Sequence, residues 1–589
     1  MPTGLKDNRL YLTGAITITT RMIPQRQHDH SALCLMNMLI AGSIKNQPTS
    51  ISFKTSFHRD TIDRNKAKKQ CQNNLNFVNK AKYQSILLLQ INSLFLCLFS
   101  TFISIITTTM QKTHQHDDSS LNSQFNYLFN GLFKTSIPLK NKLFLKTSIG
   151  PTPYWPLGNA HNFLGQSPYM VLKQYNDSFG NTVTFWLLKK ANVLLVDPRD
   201  IQVLFEQYTP DIFKDSPKHA AGKYFRRSVF FANGSEWEKK RQHHPLSHQN
   251  IKSFFGMAQP MLRNICKHYI NRINAFDEPK EIPLFDEMTR LSFEIFCQFM
   301  LGEKATYTTF DAYLTQMQDM HRRGTSLFPI TGFSTARKAG YWRRKVEKTI
   351  NSARNSPQKS FFSLPGWLSD QGQIDDSGFK LLRDEISTAF YAGTRNVASA
   401  VSFLIQLIAA HPDKYTQLQQ TIDAFMQNHP NGYQYEDLAE LEYLDCTLKE
   451  TLRLYPTVPA FFREVLPGRQ LELPSVVLPE KTQIFISSWV THRNPELWPS
   501  PENFQPERFF EEPQKYTYFP FGVGRQICVG KAMTDFIVKV TVIELLSQLK
   551  FESLLPHNTS YIDNEYFSGI IIPSNGLAIK VRNLSSQQR

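Results

Sequence analysis

Cysteine is scarce in this chain and what there is lies scattered. Seven residues (Cys34, Cys71, Cys97, Cys266, Cys297, Cys446 and Cys528) are spread over 589 positions with no C-x-x-C pair. That pattern argues against a disulfide framework and a cysteine-rich zinc site, and it fits a reducing compartment. No internal repeat, no fused flavin or iron–sulfur module and no recognised nucleic-acid motif is visible. Any electrons the chain uses must then come from another protein. Acidic residues are in deficit as well, leaving a formal net charge of +16. Residues 1–82 hold 13 Lys/Arg against 4 Asp/Glu and carry +9 of that excess. Without a nucleic-acid motif, the basic balance points to acidic lipid or an acidic protein partner.

Hydrophobic content of 41% and 45 phenylalanines indicate a globular, apolar-lined protein. Residues 1–82 are polar, basic and without sustained periodicity, and read as a poorly ordered extension; the apolar run at Ala32–Ile40 is too short to span a bilayer. Tyr83–Thr109 has no charged residue and 16 apolar ones. It exceeds the ~20 residues needed to cross hydrocarbon, so it is a candidate transmembrane or membrane-anchor helix. Gln90, Asn92 and several Ser/Thr interrupt it, and an amphipathic or buried helix stays open as the alternative. The positive-inside rule draws the basic N-terminal side of this segment to the cytoplasm, which puts the domain that follows it on the other side. A true start near Met110 would instead give a soluble cytoplasmic chain. A polar linker follows over 110–150, with Lys134, Lys140, Lys142 and Lys146. The prolines of Pro151-Thr-Pro-Tyr-Trp-Pro156 stiffen the entry to a domain placed at 151–585, before a short tail at 586–589.

Within that domain helical patterns dominate. Strand-like runs near Thr182–Val196, Thr482–Val490 and Leu577–Val581 predict a small sheet. Asp384–Ala410 reads as one long apolar helix stopped at His411-Pro412. The expected fold class is mainly α with a small β lobe.

The chemistry concentrates in Phe521-Gly-Val-Gly-Arg-Gln-Ile-Cys-Val-Gly530. Gly522, Gly524 and Gly530 permit angles and approaches that a side chain forbids. Cys528 then stands on a tight turn before an apolar helix, where free N–H groups and the helix dipole favour a thiolate, a soft ligand suited to iron. The other reading is a glycine-rich turn that merely contains a buried cysteine. A dinucleotide fingerprint fails, because its third glycine falls at Ile527. Elsewhere, Glu450-Thr-Leu-Arg453 puts opposite charges on one helix face, which alone is most often a surface ion pair. Trp237 and Arg241, four apart on a helix, both reach toward one carboxylate, or belong to an ordinary basic helix.

The spacing of Phe521, Gly524, Cys528 and Gly530 resembles the haem-ligand loop of the cytochrome P-450 family. Glu450-x-x-Arg453, Leu454-Tyr455-Pro456 and Pro506-Glu507-Arg508-Phe509 are similar to that family's ExxR helix and PERF segment. The resemblance implies the cytochrome P-450 fold, haem b, and Cys528 as proximal iron ligand with Phe521 near its sulfur. It also implies a buried network of Glu450, Arg453 and Arg508 bracing the loop. Trp237, Arg241 and Arg463 match its propionate-binding positions. Gln526 stands where an arginine is often found, which makes Arg525 the candidate replacement.

On the distal helix the family carries Ala/Gly-Gly-x-acid-Thr; here the stretch is Ala392-Gly393-Thr394-Arg395-Asn396. Gly393 is expected to leave space beside the iron, and Asn396 to orient a water or oxygen ligand in place of the usual alcohol. Arg395 either pairs with a substrate carboxylate, as in the family's peroxygenase branch, or points away into a structural salt bridge. Ala392, Phe328, Phe461 and Phe462, with Phe230 and Phe231, are candidate substrate contacts. The implied function is a monooxygenase acting on an apolar substrate (fatty acid, sterol or terpenoid). O2 is the co-substrate, NADPH or NADH enters only through a separate flavin reductase or ferredoxin, a membrane is a further partner, and the resemblance, against the positive-inside rule, puts the catalytic domain on the cytoplasmic side. The alternatives are a reductase-independent peroxygenase or isomerase acting on fatty acids or their hydroperoxides, and an inactive haem-binding protein.

Overall fold

A helix of 35 residues runs through the middle of the molecule and the other helices are arranged along it. The computed structural model describes residues 149–584, apart from 154–156, 164–165, 189, 215–224, 243, 245–247, 276–278, 326–332, 356–375, 556–569 and 574–575. The expected extension, the 83–109 segment, most of the linker and Phe328 therefore lie outside the described residues. Among the described residues no helix is long and apolar enough to cross a membrane.

In chain order the helices are α1 (Pro168–Phe179), α2 (Pro198–Glu206), α3 (Gly234–Gln242), α4 (His248–Asn274), α5 (Leu284–Phe296), α6 (Tyr307–Thr325), α7 (Phe333–Asn355), α8 (Asp376–Ala410), α9 (Pro412–Asn428), α10 (Glu442–Leu454), α11 (Ser488–Thr491) and α12 (Lys531–Leu546). The strands are β1 (Thr182–Leu187), β2 (Lys190–Leu195), β3 (Ile212–Phe213), β4 (Lys280–Pro283), β5 (Phe461–Val465), β6 (Leu471–Glu472), β7 (Val477–Leu478), β8 (Gln483–Ile486), β9 (Leu549–Ser553) and β10 (Ala578–Asn583). The mainly α architecture with a small β lobe is as expected.

The central helix α8 is about 50 Å long at 1.5 Å per residue. It starts earlier than the sequence pattern suggested and ends where His411, extended before Pro412, can no longer continue it. α5, α10 and α12 all pack against α8. Its Phe390, fully buried, is surrounded by aromatic rings of three helices: Phe293 and Phe296 of α5, Tyr313 of α6 and Trp342 of α7, with centroids 4.7–6.4 Å away. The abundance of phenylalanine is spent in such clusters.

The main sheet has the order β1-β2-β8-β5-β3. The β1–β2 hairpin turns at Leu188, whose φ of 54° lies in the left-handed region. β8 pairs parallel with β2 and antiparallel with β5, setting Arg463 opposite Ile484. The strand expected over Thr482–Val490 is cut to four residues. At Ser487 the backbone turns into α11, and the Ser487 hydroxyl accepts the Val490 N–H, capping the new helix.

Phe390→Ala is expected to destabilise the fold by about 3–5 kcal/mol, since the rigid aromatic surround cannot collapse on the void. Urea unfolding of the two proteins measures this; a cost near zero would contradict the packing described.

Candidate active site

Cys528 is held by its own loop. Its N–H donates to the Phe521 carbonyl at 2.9 Å, and the Ile527 N–H donates to Gly524 at 3.2 Å. Gly524 has φ of 73°, and a Cβ there would come within 3.0 Å of the Phe205 ring on α2. Glycine is thus required twice over, by angle and by space. Gly530 opens α12, and its carbonyl takes the Thr534 N–H at 2.8 Å.

The sulfur's electrostatics differ from the expectation. Burial pushes the Cys528 thiol up from its ordinary value; the Gly530 N–H and the Arg241 guanidinium act in the other direction but do not win. The sequence reading counted the helix start and omitted desolvation. Yet the Cys528 side chain has accessible surface. A group both solvent-touched and desolvated lines a recess inside the fold. A bound metal, which deprotonates a coordinating thiol outright, is what would make this sulfur an anion.

Around the recess the structure gathers cations. Arg241, on α3, donates to the Ile527 carbonyl at 3.1 Å and so ties its helix to the cysteine loop. Trp237, one turn earlier, is buried against Val229, Ala232 and Val529. Arg463 is 7% exposed, its guanidinium lying 5.1 Å over the Phe461 ring. It donates to the Phe462 carbonyl at 2.7 Å, while its Nε finds no partner among the described residues. Burial alone pushes Arg463 down to about 10.

Lys214, just beyond β3, was missed by the sequence reading. Its Nζ donates to the Val229 carbonyl at 2.9 Å and sits 5.8 Å over the Trp237 ring. Burial first, then Arg463 and Arg241, push it down to about 7. No local spacing signals this lysine; its role comes from tertiary proximity. Lys214, Arg241 and Arg463 form no ion pair among the described residues. Three such cations, one of them with an orphaned N–H, are the chemistry that receives a pair of carboxylates. Arg525, the candidate replacement, instead lies outside, its NH2 3.0 Å from Glu238 with side chains 65% and 51% exposed.

Glu450 and Arg453 are both fully buried, which decides against the surface-pair reading. Arg453 grips Glu450 with two parallel bonds of 2.7 and 2.9 Å. Arg508 Nε, at 3.2 Å, and the Gln505 N–H, at 2.9 Å, complete the carboxylate's partners. Arg453 spends its remaining donors on the carbonyls of His492, Pro501 and Asn503. Every charge in the network is thereby met.

The distal stretch on α8 departs from expectation at two positions. A Cβ on Gly393 would fall 2.0 Å from the Phe296 ring of α5. The glycine therefore serves helix packing, and its bare side is filled by Phe296 instead of being open space. Arg395 sits 5.4 Å over the Phe285 ring, also on α5, and makes no ion pair among the described residues. The expected salt bridge is replaced by a cation–π contact. Asn396 turns toward Ala392, its Nδ2 donating to that carbonyl at 2.7 Å, and both residues are partly exposed. Phe461 and Phe462, being consecutive on β5, face opposite sides of the sheet. Phe461 packs with Phe205 and Phe519, whereas Phe462 meets Phe485 at 4.5 Å. The two therefore cannot line one wall together. Phe230 is 49% exposed and Phe231 is buried.

The model of the family described as Cytochrome P450 matches residues 149–362 and 368–581. The chain belongs to the cytochrome P450 family. It is 25% identical over 403 residues to cytochrome P450 3A40 of Oryzias latipes, covering 63% of this chain and 80% of that protein. Against cytochrome P450 4d1 of Drosophila simulans it is 25% identical, covering 71% and 90%. Cytochrome P450 3A9 of Rattus norvegicus shares 34% identity, with 56% and 64% covered. Among solved structures, retinoic acid-bound cyanobacterial CYP120A1 superposes with a TM-score of 0.63 at 22% identity, covering 74% of this chain and all of that one.

The P450 cofactor is haem, and the residues fit it. Cys528 offers a sulfur at a recess, and the cations Lys214, Arg241 and Arg463 beside it form no direct ion pair among the described residues, with Glu385 acting on Lys214 from further off. The same cations give a pH test. Lys214 holds its proton only below about 7 in the folded protein, against 10.5 ordinarily. Between those values the unfolded chain binds more protons, so the stability of haem-free protein should rise with pH, by up to about 1.4 kcal/mol per unit. Lys214→Met is expected to flatten that rise in urea unfolding at pH 7, 8 and 9; equal slopes in both proteins would contradict the burial of Lys214.

Proposed function

We propose that this P450 is a haem-thiolate monooxygenase. It inserts one oxygen atom of O2 into an apolar lipid-like substrate, with electrons from NADPH or NADH relayed by a separate flavin reductase or ferredoxin. The observation that carries this reading is the Cys528 sulfur in its recess, beside three cations that form no direct ion pair among the described residues. Cys528 would bind the iron of haem b, and Lys214, Arg241, Arg463 and the Trp237 indole would hold its propionates. Haem so bound supplies reductive activation of dioxygen.

The chain's own residues shape the rest. Ala392 O can only accept a hydrogen bond, so the Asn396 amide must face it with nitrogen. Asn396 Oδ1 is sealed and without a partner among the described residues. The group left to this side chain is its second N–H, which can orient an oxygen atom but does not release its proton. The family's acid-alcohol pair is thus replaced by a fixed donor, and protons must reach the site through water. Phe462, partly exposed and packed on the buried Phe485, offers an apolar surface that favours a lipid, sterol or terpenoid over a polar metabolite. The uncharged stretch 83–109 supports membrane association, and the family resemblance, against the charge of the 1–82 flank, favours the catalytic domain on the cytoplasmic side.

One observation favours a second reading. With Arg395 on Phe285 and Asn396 unable to give up a proton, the distal stretch holds no titratable acid. That suits a reductase-independent reaction with a fatty acid hydroperoxide. The anchoring of a carboxylate by Arg395 is disfavoured by the same placement.

Product formation from a panel of apolar lipids should require both NADPH and an added reductase. Asn396→Leu is expected to lower product formed per NADPH consumed by about tenfold or more, as the loss of a preorganised donor does. Turnover of a hydroperoxide at full rate without NADPH would replace this reading with the second.

A further inference from the structure

We propose that His492 is a positioning residue for Cys528: a neutral, fixed hydrogen-bond acceptor that ties the buried Glu450–Arg453 pair to the backbone of the cysteine loop. The reading of Cys528 as the haem ligand underlies its spectroscopic consequence, but not its structural one.

His492 closes the short helix α11 and is fully buried. It is engaged at both ends. Its carbonyl accepts from Arg453 NH1 at 2.8 Å, and its ring Nε2 accepts from the Phe519 N–H at 3.0 Å. From Phe519 the chain of bonds continues. The Phe519 carbonyl takes the Gly522 N–H at 3.0 Å, and the Phe521 carbonyl takes the N–H of Cys528 itself at 2.9 Å. One imidazole therefore stands between the ion network and the sulfur-bearing residue.

The ring has little freedom to do otherwise. A backbone N–H aimed at Nε2 requires a lone pair there, so the proton must sit on Nδ1. Stacking on Tyr518 at 5.3 Å and edge contacts with Phe519 and Trp498 fix its plane. The charged groups facing it are Arg453 of α10 and the adjacent Arg493. Together with burial, they hold the imidazole well below its ordinary value and preserve the acceptor. The backbone of Arg453 also bonds to the ring, acting against this lowering without winning. A ring needed only to fill space would be better served by phenylalanine, which brings no polar atom into a fully buried site. What the histidine adds is Nε2.

The test uses two full-length variants, each loaded with haem. His492→Phe keeps the ring and removes the acceptor; His492→Gln puts a carbonyl oxygen near the place of Nε2. Hydrogen exchange followed by mass spectrometry reports on the peptide covering Phe519. The reduced, carbon monoxide-bound spectrum reports how fast the red-shifted thiolate band is lost. For His492→Phe, Phe519 exchange should accelerate by about tenfold or more, and the thiolate band should decay at least about fivefold faster, with His492→Gln close to wild type in both. Wild-type exchange at Phe519 in His492→Phe would overturn the proposal. So would a His492→Gln protein that loses protection as fully as His492→Phe. Should His492→Phe fail to fold, His492→Gln decides alone: retained protection and band uphold the role, and their loss refutes it. Altered exchange with an unaltered band would refute the link to Cys528 while leaving the hydrogen bond intact. A failure of the haem-ligand reading appears differently, as no red-shifted band in wild type at all.

Discussion

A sulfur deep in the fold is poorly placed to be an anion even where it touches a solvent-accessible recess, and Cys528 is such a sulfur. Burial raises its thiol, and the helix start and Arg241 only partly offset this. The anion then depends on a metal partner. The same logic governs the cations around it. Lys214 and Arg463 are both pushed down by desolvation; Glu385 only partly offsets this for Lys214, and no charge offsets it for Arg463 among the described residues. Sulfur and cations are each unfavourable alone and are both relieved by one ligand that brings a metal and two carboxylates. Cofactor binding and local stability are on this account a single process.

Holding such a site requires a rigid frame behind it. Glu450, at zero exposure, is met by Arg453, Arg508 and the Gln505 N–H. A network of this kind is costly to break at any one member, which makes it suited to fixing geometry. It reaches the cysteine loop through His492 on one side. On the other, Arg241 reaches it directly at the Ile527 carbonyl. The loop is thus braced from α10 and from α3, elements distant in sequence from each other.

The parts legible in the sequence were those whose chemistry is local. The glycine spacing around Cys528, the Glu450-x-x-Arg453 face, the Trp237–Arg241 pair and the helix stop at His411-Pro412 each follow from near neighbours. What stayed hidden depends on which way a helix faces or what packs beside it. Gly393 was read as open space because the sequence does not show that Phe296 of α5 fills its bare side. Arg395 was assigned to a carboxylate or a salt bridge, and it met the Phe285 ring. Lys214 and His492 carry no motif at all, and their roles arise from elements brought together only by folding. One miss was avoidable: strand alternation alone puts Phe461 and Phe462 on opposite faces.

The central claim is a bond between Cys528 and iron. The most direct measurement is the iron-edge X-ray absorption spectrum of the haem-loaded protein beside its Cys528→Ser variant. The account predicts one sulfur scatterer bound to iron in the wild type and none in the variant. Iron without a sulfur neighbour in the wild type, or an unchanged sulfur signal after the substitution, would contradict it.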